Sequence, residues 1–344
     1  MHTFYYPGHI RHDPTQYLPA SGPEPLPLLD DPQRSELIRQ AIEEAGLGDI
    51  TAPGDFGSEP IEIIHEYGMI NLLQDGYERL HTQNGHTVAL PDTFLFNQRP
   101  LHKTRAIRGQ LGYYAFDRAS PLLAHTWEAA YWSVQTAVSA AALLAAGGEK
   151  VAYALCRPPG HHAGPNSFGG RSYLNNAAIA ANWLVQQGHR VAILDIDYHH
   201  GHGTQAIFYG RSDVLVCSIH ADPFYDYPYF WGFADEFGAG SGLNYNYNFP
   251  LPRGAQESKY LETLSAALIK IRLYVPDVLI LSLGTNIVEN DPGGSFHLRT
   301  DSLSRIGRQL AATNIPLVVV QEGGYLLSSV GQQIVAFFNG LLDA

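Results

Sequence analysis

The stretch Val191-Ala-Ile-Leu194-Asp195-Ile196-Asp197-Tyr198-His199-His200-Gly201 decides the fold. Its apolar first part reads as a buried strand of a parallel sheet, since strands covered on both faces are apolar throughout. At the strand's end the residue types switch to carboxylate and imidazole. Residues two apart in an extended chain point the same way. Asp197 and His199 therefore face one point just beyond the strand. One carboxylate oxygen and one imidazole nitrogen make two of the three protein ligands of an open zinc site. Asp195 lies on the same side one step deeper, where it can orient a histidine or hold a second ion. A polar strand end running into a loop is the plainer reading, and the rest of the chain must choose between them.

Similar apolar runs occupy 151–156, 214–219, 278–283 and 317–321, with helical patterns at 176–187 and 256–274 between them. Apolar strands alternating with helices predict an α/β fold with a mainly parallel sheet flanked by helices. Reactive residues cluster just past these runs: Arg157-Pro-Pro-Gly-His161-His162, then Asp197 and His199, then His220 and Asp222, then Asn286 and Asp291, then Glu322-Gly-Gly-Tyr325. Ligands bind outside the carboxyl ends of strands in open α/β sheets. Five strand ends converging on one edge are hard to explain by chance.

Asp291 is the natural third metal ligand, following a strand and preceding Pro292, which stiffens its loop. A zinc ion on Asp197, His199 and Asp291 keeps a position open for water, brings that water's pKa to roughly 7 and polarises a carbonyl. Adjacent His161 and His162 can turn towards one cavity, one taking a proton and the other giving it to a leaving amine. A structural pair satisfied by backbone is the alternative. Asp195 and His202 are candidates to orient them. Tyr325 follows two glycines that allow a sharp turn, so its phenol can face an oxyanion opposite the metal. Together these groups describe metal-assisted amide hydrolysis. The run Gly238-Ala-Gly-Ser-Gly242 lacks the strand-turn-helix context of a nucleotide loop, and no Gly-x-Ser-x-Gly elbow follows a strand.

The 344 residues are 45% hydrophobic and 16% charged, which suits a large core and excludes disorder. No repeat or linker is visible, so one domain is expected over 1–344. The net charge of −12 argues against a nucleic-acid binder. Cys156 and Cys217 lie in apolar runs and read as inert buried thiols. The first residues show neither a basic n-region nor an apolar h-region. The apolar helix candidate at 134–146 is interrupted by Gln135, Thr136 and Ser139 and is too short for a membrane span. A soluble cytoplasmic protein is expected.

Residues 1–60 read as a short strand, a Pro-rich loop and a helix begun by an Asp cap and Pro32 and stopped by Gly46. A second helix is expected over 61–80, and a third from Thr126 to Ala146. Residues 82–115, with Pro91, Asn97, Arg99, Pro100, Lys103, Arg105 and Arg108, form a locally basic, irregular stretch. A loop this long is either functional or interfacial, or a solvated excursion.

These residues resemble the zinc-dependent histone deacetylase superfamily, with bacterial acetylpolyamine amidohydrolases the closest branch. The resemblance covers nearly the whole chain. It is densest in Cys156-Arg-Pro-Pro-Gly-His-His-Ala163, Tyr173-Leu-Asn-Asn-Ala-Ala-Ile-Ala180, Leu194-Asp-Ile-Asp-Tyr-His-His-Gly201, Ser218-Ile-His-Ala-Asp-Pro223, Ser282-Leu-Gly284, Asp291-Pro292 and Gln321-Glu-Gly-Gly-Tyr325. It implies an arginase/deacetylase-like fold with the active site at the C-terminal ends of the strands. Zinc would sit on Asp197, His199 and Asp291, with His161 and His162 as acid and base and Tyr325 polarising the acyl carbonyl. It also implies a potassium ion on Asp195 and Ser218 and on the main-chain oxygens of Asp197, His199 and Ile219. Gly170 matches the position whose carbonyl accepts the substrate amide N–H, and Gly170, Arg171, Tyr227 and Arg108 are the expected substrate contacts. The arginases, which share the fold, use two manganese ions, but His200 stands where a second-metal carboxylate is expected. Residues 82–115 match the insertion through which the polyamine branch forms a homodimer and narrows its tunnel.

The chain also departs from that branch. Arg108 replaces an acidic entrance residue, Ala119 a second one with Asp117 close by, and Arg171 an aromatic tunnel-wall residue. His202 replaces the Asp or Asn that backs the second histidine, and Asn286 replaces an Asp before Asp291. The implied activity is removal of a short acyl group, acetyl above all, from an amine. Acetylpolyamine is the default substrate, with acyl-lysine or a neutral or anionic N-acetyl compound as rivals, and a metal-binding protein with weakened turnover as the reading from another class.

Overall fold

The computed structural model describes residues 1–17, 30–85, 87–95, 102 and 104–343. Its centre is one eight-stranded sheet of β1 (His2–Phe4), β2 (Ile50–Thr51), β3 (Val151–Ala154), β4 (Val191–Asp195), β5 (Val214–Ala221), β6 (Asn246–Leu251), β7 (Val278–Leu283) and β8 (Leu317–Gln321). The order is β2-β1-β3-β8-β7-β4-β5-β6, and every pairing is parallel.

The apolar runs are strands because both faces are covered, and the two-residue period sorts their side chains. Val191 and Ile193 of β4, Val214 and Val216 of β5 and Val278 and Ile280 of β7 join a core with α5 (Thr126–Ala145), α6 (Asn176–Gln186) and α7 (His202–Phe208). The alternating Ala192, Leu194, Leu215, Cys217, Leu279 and Leu281 join a core with α1 (Gln33–Glu44), α8 (Glu257–Tyr274), α9 (Thr300–Ala311) and α10 (Val330–Leu342). Each Val, Leu or Ile among them, fully buried, contributes roughly 1.5–3 kcal/mol. The register sets Asp195 level with Ser218 on β5 and Ser282 on β7, so the central strands end in one row.

Several expectations change. The helix expected over 61–80 divides into α2 (Glu59–Ile64) and α3 (Tyr67–Asn84). His65 breaks it with an extended backbone, φ −111° and ψ 144°. Its ring reaches elsewhere: Nδ1 lies 2.9 Å from the Gly164 carbonyl, and Nε2 accepts the Asn175 N–H at 3.0 Å. Such long-range bonds leave no mark in apolar periodicity.

The irregular stretch 82–115 contains α4 (Ile107–Tyr114), which buries Ile107, Leu111 and Tyr114, an i, i+4, i+7 face that the sequence did carry. Asn97, Arg99, Pro100 and Lys103 lie outside the described residues. Asp30 does not cap α1. It is buried, with Arg34 at 3.1 Å and Arg157 at 3.3 Å, while Asp31 accepts the Gln33 N–H at 2.8 Å.

Both cysteines are free and buried. Within 238–242 only Gly240–Gly242 form a short 3-10 turn before β6, without a nucleotide loop's helix. Among the described residues no helix is long and apolar enough to cross a membrane.

Candidate active site

Side chains at and just past the carboxyl ends of the central strands meet one another. From the end of β4, Asp195 accepts the Asp197 N–H on Oδ1 at 3.0 Å and meets His161 Nδ1 with Oδ2 at 2.9 Å. Asp197 Oδ1 accepts the His199 N–H at 2.9 Å and the Asn286 amide at 2.8 Å, and stands 3.4 Å from His199 Nδ1. His161 Nε2 is 4.0 Å from the same oxygen. Asn286, the departure before Asp291, thus braces Asp197 by a neutral hydrogen bond and adds no second charge.

β8 delivers the other wall. The Gly323 N–H donates to Asp197 Oδ2 at 2.9 Å, and the Tyr325 and Leu326 N–H groups donate to Asp291 Oδ2 at 2.7 and 3.0 Å. One short segment therefore holds both expected carboxylate ligands and carries Tyr325 between them. Glycine is required at 323: an added Cβ would stand 2.4 Å from Asp197 Oδ2. Gly293 donates to Asp291 Oδ1 at 2.8 Å, and its own α-carbon faces the Tyr325 ring.

The two imidazoles are brought together, with ring centroids 4.0 Å apart. Burial opposes charge on His161, but Asp195 and Asp197 overcome it and raise its pKa to about 10. Burial and the charge of His161 push His162 well below the usual imidazole range. His202 backs His162, Nδ1 to Nδ1, at 3.3 Å, and is itself lowered to about 3 by burial. Tyr325 is raised to about 12 by burial, against the pull of Arg171 and Arg34, so its phenol stays protonated and able to donate.

Gly170, Arg171 and Tyr227 line the opposite side. Gly170 has φ +57°, and an added Cβ would lie 2.4 Å from His162 Cδ2. The Tyr227 ring meets His162 edge-on at 5.1 Å and His199 at 5.7 Å. Arg171 stands over the Tyr325 ring, 5.2 Å from its centroid, with Nε buried and unpaired. Arg108 sits on the surface of α4 with its guanidinium 3.6 Å from Asp92. Ser218 Oγ lies 2.7 Å from His220 Nδ1 and 3.2 Å from His200 Nδ1, so His200 takes a structural place.

Among the described residues no three His, Cys, Asp or Glu side chains form a compact metal-ready cluster. The donor chemistry nevertheless fits a divalent cation. Burial raises the Asp291 pKa, and the charge of Asp197 raises it further. Two repelling buried carboxylates with an imidazole beside one of them are the ligand types that zinc accepts.

Sequence reasoning placed Glu322 at a strand end but missed its role. It is buried, accepts the Gly160 and His161 N–H groups at 2.7 and 3.2 Å, and fixes the turn that carries the histidine pair. Burial raises it to about 7 against the charge of His161. Its place directly after a buried strand was the available signal. Arg34, also missed, lies under the Tyr325 ring at 5.5 Å and donates to the Glu322 carbonyl at 2.7 Å.

A family model described as "Histone deacetylase domain" matches residues 28–341. The chain is 42% identical over 319 residues to acetylpolyamine amidohydrolase 1 of Pseudomonas aeruginosa, covering 91% of each. It is 39% identical over 321 residues to acetylpolyamine amidohydrolase of Mycoplana ramosa, covering 93% of this chain and 94% of that one. Among solved structures, an acetylpolyamine aminohydrolase from Burkholderia pseudomallei superposes with a TM-score of 0.93 at 39% identity, covering 99% and 98% of the two chains. Parallel strands, a polar edge at their carboxyl ends and likeness over almost the full length agree: the chain belongs to the histone deacetylase domain family and is a hydrolase of amide bonds.

Proposed function

We propose that this chain is a zinc-dependent deacetylase of small N-acylated amines, acetylpolyamines first among them. The observation that carries the reading is the 323–326 segment, which donates main-chain N–H groups to Asp197 and Asp291 and presents Tyr325 beside them. Asp197, His199 and Asp291 would hold zinc, which when bound supplies a Lewis acid for the acyl carbonyl and lowers the pKa of water. His161 and His162 divide proton removal and proton delivery to the leaving amine, with Asp195 and His202 orienting them. The Tyr325 hydroxyl donates to the developing oxyanion. The Gly170 backbone and the Tyr227 ring confine the acyl-amine beside His162.

The relatives' names support acetylpolyamine as substrate. Arg171 favours a second reading, a neutral or anionic N-acetyl compound, because its unpaired guanidinium nitrogen lies against the Tyr325 ring. A potassium ion beside the site is part of the proposal. Asp195 and Ser218 are register partners and offer the oxygen donors a hard monovalent cation takes. Pairing of two copies through 82–115 completes it.

The test is deacetylation by zinc-loaded protein across N-acetylputrescine, N-acetylspermidine, a neutral N-acetyl alkylamine, an N-acetyl amino acid and an acetyl-lysine peptide. Preference for the polyamines supports the first reading and preference for neutral or anionic compounds the second. Silence with zinc bound sinks the deacetylase.

A further inference from the structure

We propose that Asp117 is a positioning residue of this active site, its carboxylate holding the Gly170 backbone and the Tyr227 phenol as two walls against His162. The inference rests on the hydrolytic reading and deepens it, since Asp117 lies outside the strand-end cluster, three residues beyond α4. Its Oδ2 accepts the Gly170 N–H at 2.9 Å and the Tyr227 O–H at 3.0 Å, and its Oδ1 accepts the Ala119 N–H at 2.9 Å. One carboxylate thus joins three separate pieces of chain.

What it holds touches the catalytic imidazole. Gly170 is in the left-handed region at φ +57°, its α-carbon pressed so close that a Cβ would stand 2.4 Å from His162 Cδ2 and 2.8 Å from the Tyr227 hydroxyl. A glycine in that conformation is free to leave it, and a hydrogen bond to its N–H is what pins it. Tyr227 packs edge-on to His162 at 5.1 Å. Removing the carboxylate leaves a buried N–H and a largely covered hydroxyl without their acceptor, which is costly enough to drive both to new positions. The link to α4 is continuous: Phe168 donates to the Tyr114 carbonyl at 2.9 Å, and Phe116 donates to the Phe168 carbonyl at 3.1 Å. Both Asp117 oxygens are taken by internal donors, so the residue is a brace and not an open acid awaiting a cationic substrate.

The experiment compares zinc-loaded wild type with Asp117→Ala, Asp117→Asn and Tyr227→Phe. It measures kcat and KM for the panel compound that the wild type turns over best, zinc content, thermal midpoint, and hydrogen exchange of a peptide containing Gly170. Asp117→Ala is expected to lower kcat per zinc-bound molecule tenfold or more and to speed Gly170 exchange. Asp117→Asn should fall between it and wild type, because an amide cannot accept from both sides, and Tyr227→Phe should lose less than Asp117→Ala. A kcat within twofold of wild type in folded, zinc-bound Asp117→Asn and Asp117→Ala would overturn the proposal, as would loss of thermal stability alone. If Asp117→Ala does not fold, Asp117→Asn and Tyr227→Phe decide. If the wild type turns over nothing, the hydrolytic reading has failed, and unchanged Gly170 exchange in the variants would separately overturn the brace.

Discussion

Tyr325 and Arg171 stand ring to guanidinium, yet they pull the chemistry in different directions. Tyr325→Phe keeps every bond that holds Asp291, because those come from the main chain at 293, 325 and 326. It should therefore retain zinc and lose roughly 10- to 1000-fold in kcat, the range for removing one oxyanion donor; metal analysis beside steady-state rates checks both halves. Arg171→Tyr should raise the preference for N-acetylputrescine over a neutral N-acetyl alkylamine roughly fivefold, since two like charges a few ångströms apart and partly screened repel by ~1 kcal/mol. Arg108→Glu should move that ratio less, because Arg108 is half exposed and already paired with Asp92. A ratio that answers to Arg108 and not Arg171 would reverse this assignment. The two arginines were equally visible as departures in the sequence. What separates them is the left-handed turn at Arg171, φ +70°, that swings it over Tyr325.

The elements around the site were largely legible where apolar spacing is regular. β4, β7 and β8, buried throughout, coincide with their expected bounds, whereas β5, equally buried, runs past Ile219 to Ala221. β3 stops at Ala154, short of Cys156, where the chain turns towards Arg157 and its two carbonyl partners on His9 and Asp30. The break between α2 and α3 was illegible because its cause is a side chain bonded to residues 164 and 175. That break carries a pH signature. Burial lowers the His65 pKa to about 4 from 6.5, against the Gly164 carbonyl. Between those values the unfolded chain binds the proton that the folded chain refuses. Stability is therefore full above pH 6.5 and falls as the pH drops towards 4. At pH 5 this group alone accounts for about 2 kcal/mol relative to pH 7. In urea titrations, His65→Gln should show a correspondingly smaller loss between pH 7 and 5; an identical loss would mean His65 is not the titrating group. His12, buried and lowered to about 3, acts in the same direction.

For the molecule as a whole, the sheet brings β3, β4, β7 and β8, which lie far apart in the chain, side by side, so that the polar residues at their ends meet. A ligand that binds only the folded state stabilises it in proportion to RT ln(1 + [L]/Kd). Zinc should therefore raise the thermal midpoint of the wild type by several degrees and leave Asp197→Ala nearly unmoved; an equal rise in both would remove Asp197 from the ligand set. Sedimentation should give twice the 37.8 kDa chain mass if two copies pair through 82–115, and a single-chain mass at micromolar concentration would end that part of the proposal. Local residue order by itself specifies the parallel sheet, its reactive edge and the Asp, His and Tyr residues gathered there, because burial and strand ends are written into it. The brace at Asp117, the neutral support from Asn286, the floor of Glu322 and Arg34 and the stacking of Arg171 were beyond such a reading. Each joins residues distant in the chain through a bond whose partner local order does not name, and only the packing of the strands and helices brings those partners within reach.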